Sequence, residues 1–118
     1  MAVSGLGELE RAVMDVLWDR GEPVAVREVV RALAGRDLAY TTVMTVLNRL
    51  AKKGFVRREP GEGRAFDYAP VAGREQYVAR LMLDALELAG DRGTALAHFA
   101  RSVSEPEAEA LSQALDER

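Results

Sequence analysis

Tyr40-Thr-Thr-Val-Met-Thr-Val-Leu-Asn-Arg-Leu-Ala-Lys-Lys-Gly54 decides how the rest of this 118-residue chain is read. At 100° per residue, Val43, Val46, Leu47 and Leu50 gather on one side of a helix. Thr41, Thr45, Asn48 and Lys52 lie opposite, with Thr42, Arg49 and Lys53 on the flanks. The first set is a core stripe. The second holds hydroxyls, an amide and cations, and no carboxylate occurs between Tyr40 and Gly54. Solvated helix faces usually mix both signs of charge, whereas a face that meets phosphate excludes acids. Arg, Asn and Thr hydrogen-bond to base edges, and Thr methyls pack on thymine methyls. The plainer reading is an amphipathic helix whose outer side happens to lack acids, so the flanking sequence has to decide.

Upstream, Glu8 to Asp19 reads as a first helix with Leu9, Val13, Val16 and Leu17 as its stripe. Glu8 and Glu10 stand in its first turn, where the helix dipole favours acids, and Gly21 and Pro23 end it. Trp18, the single tryptophan, is expected as a core anchor, and residues 1–6 as a short mobile lead. Val24 to Leu33 reads as a second helix facing inward through Val26, Val29, Val30 and Leu33, closed by Gly35. The link Arg36–Ala39 is short, so the three helices form a helix-turn-helix.

Downstream, Gly54 is the expected C′ glycine. Phe55–Glu59 and Arg64–Ala69 are aromatic and β-branched runs around Pro60-Gly-Glu-Gly63, the pattern of a β-hairpin. A hairpin after a recognition helix is a wing. Its Arg57, Arg58 and Arg64 are then available to a phosphate backbone. The expected fold is mainly α with a small β-hairpin: a winged helix-turn-helix over residues 1–70, then a three-helix dimerisation segment over 71–118.

That second segment starts beyond Pro70. Tyr77, Val78, Leu81, Met82, Ala85, Leu86 and Ala89 line one side of a long helix ending at Gly90, and Leu83 and Leu88 widen its apolar surface. Thr94 is placed to cap a helix carrying Leu96, Phe99 and Val103. Ser104-Glu-Pro-Glu107 is a capping box for a last helix with Ala108, Leu111 and Leu115. Three such helices bury too little surface to stand alone. Pairing with a second copy across a two-fold axis solves this; folding back onto the winged helix is the alternative.

Charge is unevenly spread. The net charge is −3, but residues 1–70 carry 11 Lys/Arg against 10 Asp/Glu and residues 71–118 carry 5 against 9. Between residues 40 and 64 six cations face two acids, Glu59 and Glu62. A basic centre and an acidic tail suit one face meeting phosphate while another does something else.

Catalysis has no support. With no Cys there is no disulfide, thiolate metal site or cysteine nucleophile. His98 is the only histidine, and its neighbours Leu96 and Phe99 suggest a half-buried position rather than a metal ligand. The serines have no base at a motif-like spacing, and Gly61 and Gly63 lie in a hairpin, not in a phosphate loop. No metal or cofactor is expected. No apolar run approaches the ~20 residues of a membrane span, and the N-terminus has no basic-then-apolar leader, so the chain reads as cytoplasmic.

Leu6-Gly-Glu-Leu-Glu-Arg-Ala-Val-Met-Asp-Val-Leu-Trp18, Val26-Arg-Glu-Val-Val30, Ala39–Gly54 and Tyr68-Ala-Pro70 together resemble the penicillinase-repressor family. The resemblance runs from about Leu6 through the C-terminal helices. It implies a homodimeric repressor whose winged helices read palindromic double-stranded operators, typically inverted TACA/TGTA half-sites, before β-lactamase or related genes. Carried over, Thr41, Thr42, Thr45, Asn48 and Arg49 meet the bases, and Tyr40, Lys52, Lys53, Arg57, Arg58 and Arg64 the phosphates. Tyr77, Val78, Leu81, Met82, Ala85, Leu86, Leu96, Phe99, Leu111 and Leu115 hold the dimer. Several members of the family are inactivated through a membrane sensor-protease pathway by cleavage at an Asn-Phe bond in the C-terminal domain. Here that position is His98-Phe99, so the regulatory idea carries over but not the bond. Copper-sensing relatives use C-terminal cysteines, which this chain lacks.

Two other functions fit the same outline. One is a ligand-responsive winged-helix regulator, with Trp18, Tyr77 and Phe99 as pocket candidates. The other is a winged-helix protein–protein adaptor, against which the acid-free helix face and the wing arginines weigh.

Overall fold

The computed structural model describes residues 6–118 and contains six helices and a three-stranded antiparallel sheet. The order is α1 (Glu8–Arg20), β1 (Val24–Ala25), α2 (Val26–Ala32), a single 3₁₀ turn (Ala34–Arg36), α3 (Tyr40–Lys53), β2 (Val56–Pro60), β3 (Phe66–Pro70), α4 (Arg74–Leu86), α5 (Arg92–Ser102) and α6 (Glu105–Glu117). The chain divides into two compact units, one running through Leu81 and the other from Met82 onward.

In the first unit, the stripe of α3 closes the core. Val43, Val46, Leu47 and Leu50 pack with Val13, Met14 and Leu17 of α1, Val26 and Val29 of α2, and Val24, Val56 and Tyr68 of the sheet. The end of α3 is set by Gly54 at φ 85°, a left-handed conformation that costs a side chain about 1 kcal/mol or more. There Phe55 N–H donates to the Leu50 carbonyl at 2.9 Å and Gly54 N–H to the Ala51 carbonyl at 3.1 Å. This double closure turns the chain from α3 directly into the wing.

Two expectations change here. Val24 and Ala25 do not begin the second helix; they form β1 and pair with Tyr68 and Asp67. The sheet therefore runs β1-β3-β2, with β3 in the middle, and the element after α1 is stapled to the wing. Val24 and Val26 are both inward, which satisfies a two-residue period as well as a helical one, and the sheet partner decides. The hairpin loop is also later than Pro60–Gly63: Pro60 pairs with Phe66, and Gly61 N–H donates to the Ala65 carbonyl at 3.0 Å. A Cβ at Gly61 would stand 2.7 Å from an Asp67 carboxylate oxygen and 3.2 Å from the Ala65 carbonyl, so a side chain here would have to displace the Asp67 carboxylate.

The start of α4 belongs to the first unit. Trp18 donates through its indole N–H to the Ala72 carbonyl at 3.0 Å and stacks 5.5 Å from Tyr77. Phe55 meets the same tyrosine edge-on, and Arg74 lies over the indole while bonding Asp15 and Asp19. Tyr77 accepts the Leu6 N–H at 3.0 Å, so Leu6 is anchored rather than part of a mobile lead; residues 1–5 of that expected lead lie outside the described residues.

In the second unit α4 ends at Leu86, not Gly90, because its last turn tightens into i to i+3 bonds through Ala89. The cap of α5 is Asp91 rather than Thr94. Its carboxylate accepts from the Gly93 and Thr94 N–H groups and from the Thr94 hydroxyl. The capping box of α6 forms between Ser104 and Glu107. No residue from Met82 to Arg118 is buried.

Candidate nucleic-acid interface

Because four apolar side chains of α3 are pinned inward, its opposite side is presented to solvent. Thr41, Thr42, Met44, Thr45, Arg49, Lys52 and Lys53 are exposed, as is Tyr40 at the helix start, and Asn48 is half-buried. Thr45 donates its hydroxyl to the Thr41 carbonyl at 2.9 Å. Its proton is thereby used within the helix, and what remains for a partner is a methyl group and oxygen lone pairs. Such a methyl is suited to a thymine C5-methyl. Asn48 is tied to the wing, its Oδ1 accepting from the Tyr68 hydroxyl at 3.1 Å.

The wing does not offer its arginines together. Successive strand residues point to opposite faces, and the pairing of Val56 with Pro70, Arg58 with Tyr68 and Pro60 with Phe66 assigns one face. That face carries buried Val56 and Tyr68 and, toward the loop, Arg58 with its guanidinium 5.1 Å over the Phe66 ring. Arg58 is therefore on the side of the sheet that meets α3. Arg57 points the other way, 2.9 Å from Glu59 and donating to the Pro70 carbonyl at 3.2 Å. Arg64 sits in the exposed loop.

Lys53 is likewise committed. Its Nζ stands 2.8 Å from the carboxylate of Glu10, whose side chain is only 13% exposed. Burial pushes the Glu10 carboxyl up, but the Lys53 ammonium and the Gly7 N–H outweigh it and hold the group below the usual carboxylate range. Lys53 thus clamps α3 to α1. Arg36 similarly holds Glu8, whose carboxyl is lowered by that hydrogen bond and charge. Among the described residues of α3 and the wing, Arg49, Lys52, Arg58 and Arg64 make no ion pair, so they are the cations ready for an incoming anion.

Two exposed residues of this surface escaped the sequence reading. Met44 precedes Asn48 by one helical turn and could have been found from that spacing. Phe66 projects from the wing under Arg58, and only the strand register brings the two together.

The remaining expected residues lie elsewhere. Val78, Met82, Leu96, Phe99, Leu111 and Leu115 are exposed large apolar side chains, Ala85 is exposed, and Leu81 and Leu86 are partly covered. Tyr77 is not with them: it is buried between Trp18 and Phe55. His98 is exposed on α5 next to exposed Phe99, not half-buried as its neighbours suggested. Among the described residues no cluster of His, Asp or Glu could hold a metal ion, and no helix is long and apolar enough to cross a membrane.

Comparison with known proteins bears on family and fold. Residues 6–117 match the penicillinase repressor family. The chain is 59% identical over 116 residues to the transcriptional regulator BlaI of Mycobacterium tuberculosis, covering 95% of this chain and 83% of that one. Its fold resembles the solution structure of the DNA-binding domain of the repressor BlaI, with a TM-score of 0.52 at 30% identity over 64% of this chain and 92% of that one. It also resembles the YusO protein of Bacillus subtilis, with a TM-score of 0.55 at 15% identity over 96% and 74% of the two chains; that likeness concerns fold alone.

Proposed function

The chain belongs to the penicillinase-repressor family, a family of transcriptional repressors and not of enzymes, and from that membership we propose that it acts as a cytoplasmic homodimer on palindromic operator DNA. The observation that carries the reading is the exposed, acid-free side of α3 lying beside a wing whose Arg58 shares its face. In this reading Thr41, Thr42, Thr45, Asn48 and Arg49 read bases of TACA/TGTA-type half-sites. Tyr40, Lys52, Arg58 and Arg64 take phosphates. Lys53 and Arg57 contribute mainly to the fold, since each already has a carboxylate.

The homodimer is supported by the second unit. Residues 82–118 bury nothing, while Met82, Leu83, Leu88, Leu96, Phe99, Leu111 and Leu115 are exposed. A second copy of the same segment would cover them, and residues 1–70 and 71–118 would then divide DNA reading from dimerisation. Because a second copy would cover Phe99, cleavage at His98-Phe99 through a membrane sensor-protease pathway would act on the separated chain, where both residues are exposed, and would so release control of β-lactamase or related antibiotic-response genes.

One feature favours a ligand-responsive regulator: a cleft of about 400 Å³ lined by Leu17, Trp18, Pro23, Arg57, Pro70 and Arg74. Its two arginines are already held by Glu59, Asp15 and Asp19, and Glu22 and Glu75 share the rim. The cleft therefore has no free cation left to select an anionic effector.

The test is fluorescence anisotropy on a duplex with inverted TACA/TGTA half-sites against a scrambled duplex at physiological salt. We expect about a thousandfold preference and a steep fall in affinity with added salt. Equal weak binding to both duplexes would overturn this operator assignment.

A further inference from the structure

Tyr68 opens the motif Tyr68-Ala-Pro70, yet DNA reading as described above leaves it without a task. It stands in the middle strand of the sheet, paired with Val24 on one side and Arg58 on the other, and is 3% exposed. A ring so placed cannot swing. Its hydroxyl reaches one side chain, donating to Asn48 Oδ1 at 3.1 Å. A buried phenol needs such a partner, but the bond also has a consequence for Asn48. A primary amide carries its acceptor oxygen and its two N–H donors on opposite sides of one planar group. With the oxygen turned toward the sheet, the –NH₂ is turned toward the open side of α3.

We infer that Tyr68 makes Asn48 a donor-only reader and so sets which base edges it accepts. The inference rests on the DNA-reading role proposed above. An amide showing only N–H groups recognises acceptor edges: guanine O6 and N7, thymine O4, or adenine N7 through a single bond. The two-bond pairing of asparagine with adenine needs the oxygen and the nitrogen together at the base edge, and that pairing is disfavoured here. Tyr68 is thus a positioning residue: it touches no nucleotide and acts through the side chain that does.

The experiment is competition anisotropy with the full chain on the inverted TACA/TGTA duplex and on a panel in which each base pair of the half-site is replaced symmetrically in turn. Asn48→Ala should erase the wild-type preference at one position per half-site. Tyr68→Phe, which keeps the ring and removes the hydroxyl, should cut the discrimination at that same position by about tenfold and relax it toward adenine. The double variant should match Asn48→Ala. Asn48→Asp leaves the core untouched, still accepts from Tyr68 and has no donor to offer. It should exchange the acceptor-edge preference for cytosine, whose N4 amino group donates. A Tyr68→Phe profile that is unchanged, or weakened equally at every position, would overturn the inference while leaving DNA reading intact; so would Asn48→Asp retaining the wild-type profile. A wild-type protein that does not distinguish this duplex from a scrambled one would remove the DNA reading itself, and this inference with it.

Discussion

Arg57 and Arg58 are chemically identical neighbours with different surroundings. Arg58 faces the α3 side of the sheet and is held only by the Phe66 ring, whereas Arg57 has a carboxylate and a backbone carbonyl as partners. Arg58→Ala should lower DNA affinity on every sequence and reduce the slope of log affinity against log salt by about 1, the loss of one phosphate contact. Arg57→Ala should leave that slope unchanged; equal slopes for the two variants would refute the division of faces. Thr45 allows a second test, because its hydroxyl proton is used by the Thr41 carbonyl. Thr45→Val keeps a methyl at the surface and should bind the operator within about twofold of wild type, while Thr45→Ala should lose about fivefold or more at a thymine position. Similar losses for both would show that the hydroxyl, not the methyl, meets DNA. The alternation was in principle legible: once Val56 is inward, Arg57 must face away from it and Arg58 with it. The commitment of Lys53 was not, since Glu10 lies 43 residues earlier and only tertiary packing brings the two together.

Among elements, those with one dominant period were readable in advance. α3 carries four buried residues at helical spacing and a left-handed glycine after it, and its limits at Tyr40 and Lys53 follow from these alone. β1 was unreadable because two residues have no period of their own; their ladder partners are Tyr68 and Asp67, far along the chain. The caps of α5 and α6 yield a prediction about pH. Hydrogen bonds from the Thr94 hydroxyl and N–H and from the Gly93 N–H lower the Asp91 carboxyl, and the Ser104 N–H and hydroxyl lower that of Glu107. A carboxyl lowered in the folded chain stabilises it fully above the unfolded value, and that stabilisation is lost as pH falls through the folded one. Helical content should therefore hold between about pH 7 and 5 and decline below about 4, where ordinary carboxylates begin to protonate. Asp91→Asn with Glu107→Gln should flatten that decline in circular dichroism. A decline as steep as in wild type would show that these caps do not govern it.

The whole molecule combines one unit with a closed core and another without a buried residue. The sequence showed the reason, since apolar residues in the last three helices recur at helical spacing but belong to a segment too short to enclose them. What it did not show is how far the first unit extends. Trp18, Phe55 and Tyr77 come from three separate segments, and their meeting brings the start of α4 into that unit. Diluting the protein should therefore melt the last helices before the first unit is affected, provided a second copy is what covers them.

The position of the single tryptophan makes that sequence of events visible without a label. Trp18 is the only indole in the chain, and its ring rests against Tyr77 beneath the Arg74 guanidinium with its N–H on the Ala72 carbonyl. Its emission therefore reports the docking of α4 on α1 within the first unit, whereas far-ultraviolet ellipticity records all six helices. In urea at micromolar and then at nanomolar protein, the emission midpoint should stay fixed while the ellipticity midpoint moves to lower denaturant. The widening gap between the two curves is an intrinsic optical measure of how much of the helical tail is maintained by another molecule.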